Sequence, residues 1–197
     1  FIRGIILNLG FHTNFGWNGD INYTNQIARG TASDPDQARA SIDGNKLPEV
    51  HLIPLNWDQT HTLSGSIMYS KKDWGGSMIL QLGSGLPYTP ESTEDISTFI
   101  TNSAQKPLTW NVDFRSYIQP QLLLKNMTLF FRVKNVFDQL NHYNVYNDSG
   151  RADKTINLKR AQNTNPSEAI NSLDDWFNNE TFYSQPRRIE FGITYDF

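Results

Sequence analysis

The sequence contains no cysteine among its 197 residues and no apolar run long enough to form a membrane-spanning helix. The first absence excludes a disulfide-stabilised scaffold. The second excludes a helical membrane protein, because a spanning helix needs about 18 or more consecutive apolar residues. The net charge is only -3, and lysine and arginine do not cluster with aromatic residues. We therefore expect no nucleic-acid partner.

Signatures of catalysis and metal binding are also missing. The chain has no phosphate-binding glycine loop, no dinucleotide-binding fingerprint and no Gly-x-Ser-x-Gly motif. Its histidines lack the spacing of a zinc site, and the acidic residues between positions 148 and 180 lack the spacing of an EF-hand loop. We predict no catalytic site, no metal and no cofactor, and we expect that the protein is not an enzyme.

The sequence does contain alternating apolar and polar residues, most clearly at its carboxyl terminus. A period of two places the two sets on opposite faces of a β-strand. One face carries too much charge for a protein core, and the other is too apolar and aromatic for water. The wall of a membrane β-barrel accommodates both, with lipid outside and a polar lumen inside. The two sets are Ile189, Phe191, Ile193, Tyr195 and Phe197 on one face, and Arg188, Glu190, Gly192, Thr194 and Asp196 on the other.

Six further segments alternate in the same way, so we predict about seven antiparallel strands. Outer-membrane barrels have short periplasmic turns and long extracellular loops. The predicted fold class is therefore all-β, an antiparallel transmembrane β-barrel, with its long loops extracellular and its carboxyl terminus periplasmic. The predicted short connections are residues 12–15, 71–73 and 120–126, and the predicted long ones are residues 31–56, 85–107 and 139–186.

The alternation also predicts which side chains face the lumen and which lie at the membrane interfaces. We interpret the lumen set as an ion-pair lattice that keeps strands in register; contact with a plug or a solute path is the alternative. Tryptophan and tyrosine prefer interfacial depth, which predicts two aromatic girdles. The lumen set is Asp113, Arg115, Arg132, Lys134, Arg188 and Glu190; the girdle set is Trp17, Trp57, Trp74, Trp110, Tyr69 and Tyr88.

Four segments resemble one family, the TonB-dependent outer-membrane receptors of the carboxypeptidase-regulatory-like group. Asn135-Val136-Phe137-Asp138 followed by His142-Tyr143 is similar to the signature of the family's penultimate strand, with Val136 where leucine is usual. Residues 186–197 resemble the family's closing strand. Residues 56–63 and 83–90 resemble its recurrent strand-entry and strand-exit motifs.

The resemblance implies a barrel of roughly 22 strands closed by an amino-terminal plug. Residues 1–197 would then be the carboxyl-terminal portion of the barrel domain, and we expect a processed or partial chain because it opens on Phe1 without a signal peptide. The implied function is TonB-energised uptake of a siderophore, vitamin or oligosaccharide. The implied partners are outer-membrane lipid, the plug, the remaining strands and the TonB complex. Phe191, Ile193, Tyr195 and Phe197 resemble the terminal signal that the barrel-assembly machinery recognises.

Two other functions remain open at this point. One is a small independent outer-membrane barrel with a structural or adhesive role, which needs an eighth strand; the weak alternation of residues 154–160 is its candidate. The other is an outer-membrane protease or phospholipase, which needs a Ser/His or Asp/His site near the barrel rim.

Overall fold

The structure, a computed structural model, describes residues 1–45, 50–91, 101–120, 126–164 and 179–195, and these are mostly antiparallel β-sheet. The seven long strands are β1 (Ile2–His12), β2 (Trp17–Gly30), β4 (His61–Ser70), β5 (Trp74–Gly83), β8 (Thr109–Ile118), β9 (Met127–Lys134) and β10 (Arg188–Tyr195). Three short strands are β3 (Ile53–Pro54), β6 (Pro87–Tyr88) and β7 (Ala104–Gln105). The connections also hold helices α1 (Pro35–Asp43) and α2 (Ile156–Thr164) and a 3-10 turn, Glu180–Phe182.

The long strands form one sheet in the order β1-β2-β4-β5-β8-β9-β10, so each pairs with the next long strand along the chain. Every pairing is antiparallel. The predictions of an all-β fold and of about seven antiparallel strands are confirmed. The sheet is open: within the described residues, β1 and β10 each pair along one edge only.

Connection lengths alternate as predicted. Residues 13–16, 71–73 and 119–126 join strands at one end of the sheet, which we call the turn end. Residues 31–60, 84–108 and 135–187 join strands at the opposite end, the loop end. None of the described helices is both long and apolar enough to cross a lipid bilayer.

The structure contradicts one candidate strand and one predicted position. Residues 156–160, part of the candidate eighth strand of the independent-barrel alternative, lie in helix α2, where the Asp148 carboxylate accepts the N–H of Ile156 (2.7 Å) and the Thr155 hydroxyl accepts that of Asn157 (3.1 Å). The signature predicted for the penultimate strand lies after β9. Asn135 and Asp138 have φ angles of 54° and 56°, a left-handed conformation that a strand does not contain.

Candidate functional site

The pairing register brings most of the large apolar side chains of the seven long strands onto one face of the sheet, with exceptions such as Ile6, Met68 and Ile79 on the other. Cross-strand pairs such as Leu9 with Ile21, Met78 with Phe114 and Phe131 with Phe191 are partners in the ladder, and paired residues point to the same side. We call this surface the apolar face. Its residues on the three best-alternating strands are Trp110, Val112, Phe114 and Ile118 in β8, Met127, Leu129, Phe131 and Val133 in β9, and Ile189, Phe191, Ile193 and Tyr195 in β10.

No second layer of the described structure covers the apolar face. Leu9 is 71%, Phe191 79% and Ile193 70% exposed, although these are among the most apolar side chains of the chain. Among the described residues no large side chain is fully buried, and the buried apolar residues are few and mostly small. A sheet normally buries its apolar face against another layer. The environment that covers this face must therefore come from outside the described residues.

The opposite, polar face carries the six charged residues that the sequence predicts for a lumen. Arg115 is the ladder partner of Arg132, Arg132 of Glu190, and Lys134 of Arg188, so these residues share a face. Glu190 joins two cations: its carboxylate lies 3.0 Å from the Arg132 guanidinium and 2.8 Å from that of Arg188. Partly exposed pairs of this kind each contribute roughly 0–1 kcal/mol.

The other members of the charged set are held differently. Asp113 accepts hydrogen bonds from the Asn111 side chain (2.7 Å) and from the backbone N–H of Asn135 (2.9 Å). Among the described residues, neither Arg115 nor Lys134 has an acidic side chain within ion-pair distance. With four cations against two carboxylates, this part of the polar face has a surplus of positive charge. The predicted ion-pair lattice is therefore limited to Arg132, Glu190 and Arg188.

Hydrogen bonds of the signature residues Asn135 and Asp138 connect the end of β9 to the start of β10, and we call this region the junction. The buried Asn135 side chain donates to the carbonyl oxygens of Gln139 (2.9 Å) and Gln185 (3.1 Å), and its amide oxygen accepts the N–H of Gln139 (2.8 Å). The Asp138 carboxylate accepts the N–H of Arg187 (2.7 Å). Val136 donates its N–H to the carbonyl of Val112 (2.8 Å), where β9 no longer pairs with β8. These contacts give the signature a structural role.

Asn141 completes the same junction and was not predicted from the sequence. Its amide oxygen accepts the backbone N–H of Trp110 (2.9 Å), and its amide nitrogen donates to the carbonyl of Trp110 (2.8 Å). The Asn141 side chain thus makes the two hydrogen bonds that a residue of a neighbouring strand would make to Trp110, at a position where β9 has already ended. The Asn141 side chain is only 4% exposed, and its loss would leave the partly buried N–H and C=O of Trp110 without these partners.

The three long connections are joined to each other at the loop end. The Asn102 side chain donates to the carbonyl of Pro54 (2.8 Å) and to the Asn56 side chain (2.7 Å), which links the first connection to the second. Lys106 donates to the carbonyl of Tyr143 (2.7 Å), which links the second to the third. Burial lowers the pKa of Lys106. The described parts of the loops therefore form one connected structure.

The third connection has its own small packing unit. The Arg151 guanidinium holds the Asp153 carboxylate at 2.7 and 2.8 Å, His142 accepts the N–H of Ala152 (3.0 Å), and the Tyr183 ring lies edge-on to His142. The hydrogen bond from Arg151 is the largest of the effects that hold the pKa of Asp153 below its usual value. Burial is the largest of those that raise the pKa of Tyr183. Among the described residues, no three histidine, aspartate or glutamate side chains are grouped to hold a metal.

Four of the six aromatic residues predicted for two girdles lie near ends of the long strands, whereas Trp57 lies in the first long connection and Tyr88 in β6. At the turn end, the rings of Trp17 and Tyr69 are 4.7 Å apart and those of Tyr69 and Trp74 are 5.0 Å apart. At the loop end, Trp110 packs against Phe137 at 5.5 Å. In the predicted assembly signal, Phe191, Ile193 and Tyr195 share the apolar face of β10, whereas Phe197 lies outside the described residues.

No protein-family model, curated protein or solved structure matches the chain.

Proposed function

We propose that this sheet is part of the wall of an outer-membrane β-barrel, and that the chain is the carboxyl-terminal portion of a TonB-dependent receptor. The observation that carries the proposal is the continuous exposed apolar face, backed by a polar face on a single-layer sheet. Exposure of such an apolar face is favourable in a lipid environment, while the polar face contacts water or polar protein. Aromatic clusters at both strand ends support the same interpretation, because these rings favour membrane interfaces.

In this proposal the free edges of β1 and β10 pair with the strands that complete the barrel. Closure matters because an unpaired strand edge in lipid would leave backbone groups without hydrogen bonds. The surplus positive charge on the polar face would contact the plug or a solute passing it. The joined long loops would form the extracellular mouth, and the turn end would face the periplasm.

The proposed activity is import of a scarce, large solute (a siderophore, a vitamin or an oligosaccharide) with energy delivered through the TonB complex. The resemblance of Asn135-Val136-Phe137-Asp138 and of the closing strand to that family supports this activity. An independent eight-stranded barrel is less well supported, since its candidate eighth strand lies in α2.

Uptake by the full-length protein tests the proposal. Cells that carry the receptor should take up its solute only while the inner-membrane proton-motive force is maintained, because a plugged barrel has no open diffusion path. A protonophore should abolish uptake and leave the amount of receptor in the outer membrane unchanged. Uptake that continues in the presence of the protonophore would contradict the transport proposal and favour an open pore.

A further inference from the structure

A depression of about 850 Å³ lies on the apolar face near the turn end. The register explains its position. Tyr69, Gly76, Ser116 and Phe131 are successive ladder partners across β4, β5, β8 and β9. An aromatic side chain therefore lies at each end of the row, Tyr69 at one and Phe131 at the other, with the two smallest residues between them. The depression has its floor over Gly76 and Ser116, and we call it the Gly76 groove.

Apolar side chains also bound the groove along the strands. The paired residues Met78 and Phe114 bound it toward the loop end, and the pair Trp74 and Ile118 bounds it toward the turn end. The groove is thus enclosed on four sides and open away from the sheet. Its walls offer hydrophobic and aromatic contacts with few polar groups, which fits a hydrocarbon chain and does not fit a polar solute.

Positive charge lies next to the groove at the turn end. Lys71 and Lys72 are both exposed in the connection that follows β4, and the Lys71 ammonium lies 5.9 Å from the centre of the Tyr69 ring. Asp73 shares this connection, which leaves it with a net charge of +1. Lysine side chains at a membrane surface attract anionic headgroups, and interfacial aromatic rings mark the depth at which headgroups meet acyl chains.

We infer that the Gly76 groove binds a membrane phospholipid with an anionic headgroup. One acyl chain lies over Gly76 and Ser116, and the phosphate lies against Lys71 and Lys72. This site goes beyond solute transport, and it rests on the proposed function, because the groove meets lipid only if the sheet is a barrel wall.

Gly76→Leu is the variant that fills the groove. A Cβ atom at Gly76 would lie 3.4 Å from the Arg115 carbonyl oxygen and 3.9 Å from both a Phe114 ring carbon and the Ser116 Cβ, so a side chain can be added there without a clash. Gly65→Leu is the matched control. Gly65 lies on the same face of the adjacent strand β4, its Cβ would have contacts of 3.6 and 3.8 Å, and it does not line the groove.

Native mass spectrometry of the full-length protein in detergent, titrated with phosphatidylglycerol, measures the site. The wild type and Gly65→Leu should each retain one tightly bound lipid. Gly76→Leu should weaken binding by about tenfold or more, because the new side chain displaces several methylene groups of the acyl chain. Replacing both Lys71 and Lys72 by glutamine should reduce the preference for phosphatidylglycerol over zwitterionic phosphatidylcholine by about tenfold.

Equal lipid retention by Gly76→Leu and Gly65→Leu in protein that inserts normally into the outer membrane would overturn the lipid site and leave the barrel proposal intact. A dimer mass that disappears in Gly76→Leu would also overturn it, by assigning the groove to a second copy. Failure of the wild type to enter the outer membrane would instead refute the proposed function, and the lipid site with it.

Discussion

Where strands end, the amide side chains of Asn135 and Asn141 make hydrogen bonds to several backbone groups. Asn135 satisfies three backbone groups of two separate chain segments, and Asn141 pairs with both backbone groups of Trp110. An amide can do this because it presents a donor and an acceptor in one plane, as a peptide group does. Asparagine also tolerates the left-handed φ of 54° at position 135 better than most residues. These residues therefore replace strand pairing where the ladder stops.

Asn135→Ala should lower the free energy of unfolding by about 2–4 kcal/mol, from lost hydrogen bonds and added backbone strain. Asn135→Gly removes the same side chain but accepts positive φ, so its effect should be smaller by about 1 kcal/mol. Urea unfolding in micelles, followed by tryptophan fluorescence, measures both. Equal destabilisation would show that backbone conformation does not matter at this position.

Arginine substitutions at two adjacent residues of β1 test which face of the sheet contacts lipid. Leu9 and Asn8 are both exposed, but Leu9 lies on the apolar face and Asn8 on the polar face. In water, arginine at either site would change stability by only about 0.5 kcal/mol. In a bilayer, Leu9→Arg should cost roughly 2–4 kcal/mol near the midplane, and Asn8→Arg far less. Folding titrations in lipid vesicles compare the two; similar costs would contradict the lipid assignment.

At the scale of elements, strands could be predicted from the sequence more readily than helices. Alternation is a local signal, and it correctly predicts about seven antiparallel strands and the shared face of Arg115, Arg132 and Glu190. Helix α1 has a recognisable start, with Asp34 accepting the N–H of Asp36 and Pro35 in the first turn, but its polar composition predicts a loop rather than a helix. Helix α2 has a local start signal in Thr155, whose hydroxyl accepts the N–H of Asn157 (3.1 Å), and a second cap that is not local, because Asp148 lies eight residues before Ile156.

Apart from the ion pair of Arg132 with Glu190, the long-range contacts could not be predicted. Asn141 and Trp110 are 31 residues apart, and Asn102 and Asn56 are 46 apart. The Gly76 groove depends on the register of four strands, so Gly76 and Ser116 look unremarkable in the sequence. Once the hairpins are aligned, the row of large, small, small and large side chains becomes visible.

Acid should loosen helix α2. Burial raises the pKa of Asp148, but hydrogen bonds from the Thr155 hydroxyl and from the N–H groups of Ile156 and Asn157 outweigh burial and lower it below 3.8. The stabilisation is therefore complete above the unfolded value and is lost as the pH falls through the lower folded value. Amide exchange of residues 156–164, corrected for intrinsic rates, should be faster at about pH 2 than at about pH 6. Asp148→Asn should reduce this difference, and an unchanged difference would contradict the capping role.

Two replacements in the longest connection, residues 135–187, test which part of it is needed for folding. Residues 156–178 include α2 and contribute none of the described junction contacts, so their replacement by a short Gly-Ser linker should spare assembly. Replacing residues 140–184 also removes Asn141, which accepts the N–H of Trp110 in β8, and Ser184, whose hydroxyl accepts the N–H of Asn141. This replacement should therefore lower the amount of folded protein. Heat-modifiable gel mobility of outer-membrane fractions compares them. Equal yields would show that the junction is dispensable.

For the whole molecule, the alternation of connection lengths predicts how the proposed barrel is oriented in the membrane. A cysteine placed at Asp43, in the first long connection, should react with a membrane-impermeant maleimide on intact cells. A cysteine at Lys72, in a turn, should react only after the outer membrane is breached. Both positions are exposed, so accessibility within the protein does not distinguish them. Labelling of Lys72→Cys alone in intact cells would reverse the orientation.

Contact of one face of this sheet with lipid, and of the other with water, is what the proposed barrel wall requires. Nitroxide labels placed singly along β8, from Thr109 to Ile118, measure it directly in the reconstituted protein. Oxygen, which concentrates in lipid, should relax labels at positions 110, 112, 114, 116 and 118, and a water-soluble nickel chelate should relax those at 109, 111, 113, 115 and 117. We expect the response to alternate with a period of two. Labels that all respond to the nickel chelate would place both faces in water and contradict the proposed contact with lipid.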